Sequence, residues 1–72
     1  MGHWAGSDHM TVVDTPGGSR DRPSMYSCHA VDDESGEVAC GAVAASHLTH
    51  LDQPWEKLPA GYQCRACRRA LH

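Results

Sequence analysis

Cys64-Arg65-Ala66-Cys67, close to the C-terminus, is the stretch that decides how this chain is read. Two thiols separated by two residues can be aimed at one point by a tight turn or by the first turn of a helix. The run that follows, Arg68-Arg69-Ala70-Leu71, contains good helix formers and no breaker. A short helix is therefore expected from Cys64 or just after it. Working back along the chain, the next thiol is Cys40, followed at once by Gly41, which suits a second tight bend. The fourth cysteine is Cys28, with His29 beside it.

The chain has 72 residues, no Phe and four Cys. Its large apolar residues are few, and no Ile is present. One domain of this size buries only about 60% of the surface its unfolded chain exposes. Such chains usually need a disulfide, a metal or a partner to hold a fold. No signal peptide is recognisable in Met1 to Met10, and no apolar run approaches a membrane span. A cytoplasmic location is the resulting expectation, and there thiols stay reduced and bind metal. Structural Zn²⁺ takes four thiolate or imidazole ligands in a tetrahedron. Cys40, Cys64 and Cys67 supply three of them. The fourth is Cys28 or His29, because consecutive strand residues point to opposite faces and only one of the two can face the metal.

Residues 1–23 read as a disordered, flexible tail rich in Gly, Ser, Asp, Pro and Thr, with Pro16-Gly17-Gly18-Ser19 as a turn-rich stretch. Gly6-Ser7-Asp8-His9-Met10 has the character of an expression-vector scar, which would make residues 1–9 foreign. Val12 and Val13 are the only reason for the tail to dock. The zinc-binding domain is then 24–72. Within it, Met25 to Val31 and Glu37 to Cys40 are expected to pair as a β-hairpin around Asp32-Asp33-Glu34-Ser35-Gly36. Ala42 to Leu51 suits a short helix or a loop equally. Pro54 and Pro59 bracket Trp55-Glu56-Lys57-Leu58, which favours a turn or one helical turn with Trp55 and Leu58 as anchors. His47 and His50 form an H-x-x-H pair that reads best as two partly exposed histidines. His3, His9 and His72 receive no role.

Three segments together carry a resemblance. Cys28-His29-Ala30-Val31, Val38-Ala39-Cys40-Gly41 and Cys64 to Leu71 resemble a group of small uncharacterised bacterial zinc-ribbon-like proteins. Their pattern is a His before a hairpin, a Cys-Gly after it, and a terminal C-x-x-C leading into a short helix. The resemblance covers about residues 28 to 71. It implies a small metal-stabilised β+α fold, and it implies His29 as first ligand. It implies no activity.

The functional expectation is a structural zinc module that meets a protein partner, through Trp55, Leu58 and the uneven charge. Acids crowd Asp32 to Glu37, whereas Lys57, Arg65, Arg68 and Arg69 make the C-terminal end basic. A nucleic-acid-binding finger using the basic helix is the alternative. The net charge of −3 and the lack of interleaved aromatics weigh against it. A dithiol redox protein is the second alternative, although the βαβ pattern that usually surrounds such a pair is not visible. With no H-E-x-x-H motif either, the chain is read as a non-enzyme.

Overall fold

The computed structural model describes residues 2–71; Met1, in the expected tail, and His72 lie outside the described residues. Five strands and one helix follow in the order β1 (His3–Ser7), β2 (Met10–Thr15), β3 (Gly18–Pro23), β4 (Cys28–Asp32), β5 (Thr49–Pro54) and α1 (Arg65–Ala70), with single 3₁₀ turns at Ala45–His47, Trp55–Lys57 and Ala60–Tyr62. They make a three-stranded sheet in the order β4-β1-β5 and a separate ribbon, β2-β3, both antiparallel.

The expected tail is corrected by this arrangement. Residues 3–7 are the central strand of the sheet, and residues 10–23 form the ribbon. Order begins long before Ser24. The misleading signal was the small-residue composition, and the structure gives its reason. β1 is flanked on both edges, pairing Ala5 with Ala30 and Gly6 with His29 on one side and Gly6 with His50 on the other. A Cβ at Gly6 would lie 2.7 Å from Leu48 Cβ and 2.9 Å from Trp4 Cζ3. Gly6 stands there because a side chain would meet Leu48 and Trp4, and Ala5 and Ser7 beside it are buried. A central strand made of such residues shows no apolar alternation for a sequence reading to find.

The expected hairpin is likewise reduced. β4 forms, but Val38 makes only an isolated antiparallel bridge to Val31. Asp32-to-Gly36 does close the turn, with Gly36 at φ +74° and Asp32 Oδ1 accepting from the N–H groups of Glu34 and Ser35. The second arm ends early because the chain bends at Gly41, φ +69°, with its N–H bonded to the Val38 carbonyl. Met25 to Ser27 is a turn rather than strand, and Tyr26 adopts φ +58°.

The core is small. Ala5, Cys28, Ala30, Trp55 and Cys67 are buried together, with Val38, Leu51, Leu58 and Tyr62 packed against them. Trp55 is 5% exposed. It sits in a single 3₁₀ turn between Pro54 and Pro59, as the two prolines suggested. Ala42 to Leu51 contains one 3₁₀ turn and then enters β5, the edge of the sheet.

Candidate metal centre

Three separate parts of the chain deliver side chains to one point. His29 comes from β4, Cys40 from the bend after Val38, and Cys64 and Cys67 from the start of α1. One ligand atom from each of these four residues lies within 4.8 Å of the other three, and among the described residues this is the one such group of His, Cys, Asp and Glu. His29 Nδ1 is 3.6 Å from Cys40 Sγ and 3.7 Å from Cys67 Sγ. A tetrahedral zinc with Zn–S of about 2.3 Å and Zn–N of about 2.0–2.1 Å sets sulfur and nitrogen about 3.6 Å apart. These two nitrogen–sulfur distances are ones that ligands around one ion would have.

Local structure places each ligand. Gly41 holds a positive φ that a side chain would strain, and this lets the chain double back so that the Ala42 N–H reaches Cys40 sulfur. Burial acts to raise the Cys40 pKa. The Ala42 N–H, the His29 ring and Cys67 outweigh it, and the thiol lies below its ordinary value of 9.0. Cys64 caps α1, and the helix begins with the Arg68 N–H bonding the Cys64 carbonyl. Cys67, one turn on, faces inward and is fully buried. Burial pushes its thiol up to about 12, against the N–H of Ala30, which donates to the sulfur. A divalent cation would reverse that balance, since coordination binds the thiolate.

Cys28 is not in the group. Its neighbour His29 faces the sulfurs, and Cys28 packs in the core with Ala5, Ala30 and Trp55. Burial raises its pKa, partly offset by a hydrogen bond from Ser27 and reinforced by the charge of Asp8. All four cysteines are free thiols.

The other histidines lie elsewhere. His50 stands on β5 with its ring edge-on to Trp4 at 4.6 Å, and His47 ends an exposed 3₁₀ turn. His3 lies 4.0 Å from Asp32 and 3.8 Å from Glu56. Of the basic residues near the helix, Arg65 lies over the Tyr26 ring at 4.5 Å.

One residue of the site has no counterpart in the sequence reading. Asp8 Oδ2 is 2.9 Å from His29 Nε2. Asp8 follows β1 in the segment that looked foreign, so no local motif marked it.

No protein-family model, curated protein or solved structure matches the chain. Among the described residues, no helix is long and apolar enough to cross a membrane.

Proposed function

We propose that this chain is a small zinc-binding module whose metal is structural, held by His29, Cys40, Cys64 and Cys67. The observation that carries the proposal is the convergence of one imidazole and three thiols from three distant segments at zinc-ligand spacing. Four protein ligands complete a tetrahedron and leave no position for water or substrate, so the ion supports the fold rather than a reaction. Softness of the donors favours zinc over magnesium, calcium or manganese, which prefer oxygen. A zinc-ribbon-like relationship rests on the His29…Cys40-Gly41…Cys64-Arg65-Ala66-Cys67 spacing alone.

The role we infer is that of an accessory module for a protein partner. Met25, Tyr26 and Val12 support it, being exposed by 68%, 41% and 65% on segments that pack little core. Trp55 does not, because it is core. The basic helix is a poorer candidate for nucleic acid, since Arg65 is already held against Tyr26. A redox dithiol is a poorer reading, since Cys64 and Cys67 both stand in one group with His29 and Cys40, where a metal would engage both thiols.

The test is metal dependence of folding. With one equivalent of zinc the amide spectrum should be dispersed, and a chelator should collapse it reversibly. A dispersed, native spectrum in the metal-free protein would sink the structural role.

A further inference from the structure

We infer that Asp8 is a positioning residue of the metal centre, fixing the tautomer of His29 so that the ion is bound through Nδ1. The inference rests on the zinc reading given above and deepens it. Its starting point is the geometry of one ring. Nδ1 faces Cys40 and Cys67 sulfur at 3.6 and 3.7 Å, and Nε2 faces the Asp8 carboxylate at 2.9 Å. A carboxylate only accepts hydrogen bonds, so the Nε2–H donates to it and the proton resides on Nε2. The lone pair is thereby left on Nδ1, aimed at the sulfurs. A histidine ligand that donates its second N–H to a carboxylate is oriented and made more basic by it.

Asp8 is itself held. Its N–H donates to the Ser27 carbonyl at 3.1 Å. On one side, Ser7 Oγ donates to the His9 carbonyl at 2.9 Å and lies 2.9 Å from Ser27 Oγ, which donates to the Ser24 carbonyl at 2.6 Å. Ser7 is 1% exposed and Ser27 5%. The turn from β1 to β2 is thus tied to the turn before β4, and the carboxylate is delivered to His29 from a backbone already fixed at both ends. The side chain of His29 is 7% exposed and that of Asp8 42%, so the carboxylate reaches a buried ring from the surface. This connects the N-terminal strand to the metal centre, although no ligand comes from it.

The experiment uses the zinc-loaded full chain labelled with ¹⁵N at histidine. Long-range ¹H–¹⁵N correlation should show His29 protonated at Nε2 and metal-bound at Nδ1. Competition with a chelator should show Asp8→Ala binding zinc about 10–100-fold more weakly, the usual cost of losing such a partner. Asp8→Asn retains a carbonyl oxygen that can accept from Nε2–H, and it should recover part of the affinity and keep the wild-type tautomer. It also carries the comparison should Asp8→Ala fail to fold with zinc present. Wild-type protein bound through Nε2 would overturn the inference, as would undiminished affinity in Asp8→Ala or in Asp8→Asn when that is the variant that folds. Wild-type protein whose His29 resonances ignore zinc would instead overturn the metal site itself, and the two failures are distinct.

Discussion

The β2-β3 ribbon and the segment from β4 to α1 are held together by different means. The ribbon is a two-stranded sheet packed chiefly on itself, turned by Pro16-Gly17 and Gly18 at φ +122°, with most of its residues exposed. It is fastened at its base by Ser24, whose Oγ shares hydrogen bonds with His9 Nδ1 and Thr11 Oγ1, and by Arg22 reaching the Tyr62 hydroxyl. An isolated hairpin of this kind is marginal in water. From β4 to α1 the chain is broken into short strands, 3₁₀ turns and bends, yet its side chains converge on one point. The lesson is that here regular structure and stability are separable. The ribbon has the better ladder and the weaker hold, and the irregular bends around Gly41 and Cys64 bring together the residues that could hold an ion.

The largest break in that comparison comes from the ligands. Cys67→Ser or Cys64→Ser should abolish folding at any practical zinc concentration, because structural zinc in small peptides contributes about 10–16 kcal/mol at neutral pH. Far-UV circular dichroism with zinc present reads this, and a folded Cys67→Ser variant would move the stability back to the core. Trp55→Ala should come next, at about 3–5 kcal/mol, the usual cost of truncating a buried aromatic. Thermal melting of the zinc-loaded protein measures it, and a cost below about 1 kcal/mol would show that Trp55 is not an anchor.

Gly6→Ala tests the strand that resembled a tail. Its new Cβ would meet Leu48 Cβ at 2.7 Å, and overpacking of this sort costs about 1–3 kcal/mol. An unchanged melting temperature would mean that β1 is loosely held. Cys28→Ala should cost about 1 kcal/mol and leave the cobalt spectrum of the site unaltered. That contrast with Cys67 sharpens the distinction between a core thiol and a ligand thiol. Smallest of all, Val12→Thr on the exposed ribbon should stay within about 0.5 kcal/mol.

Acid should act on the segment from β4 to α1 in two ways. To bind the ion the thiols must be thiolates and the imidazole neutral, so zinc affinity falls as pH falls. Cys67, held up to about 12 without metal, must release a proton on binding at any pH below that value. Titration calorimetry in two buffers of different ionisation enthalpy should therefore show net proton release near neutral pH. Asp32 shifts the other way. The N–H groups of Ser35 and Glu34 hold its carboxyl below 3.8, so its turn gains stability above that value and loses it as pH falls through the folded pKa.

What could be read from the sequence follows the chemistry of single residues. Cys64-Arg65-Ala66-Cys67 announced both a ligand pair and the start of a helix, and Gly41 announced the bend after Cys40, because thiol spacing and glycine conformation are local properties. Pro54 and Pro59 fixed the Trp55 turn for the same reason. β1 leaves no local signal because it depends on partners distant in sequence. Ala5 and Gly6 are informative only once Ala30, His29 and Leu48 lie against them. The choice between Cys28 and His29 was open for a related reason. Alternation says that the two diverge, and only the packing of Trp55 and Ala30 on one side decides which points into the core. Asp8 was invisible because a carboxylate that acts on a ligand across a sheet leaves no spacing in the chain.

X-ray absorption at the zinc edge of the loaded protein tests the central claim most directly. A site of His29, Cys40, Cys64 and Cys67 should show three sulfurs at about 2.3 Å and one nitrogen at about 2.0–2.1 Å. Four sulfurs would contradict it by bringing Cys28 into the site, and a shell of oxygens would contradict it altogether.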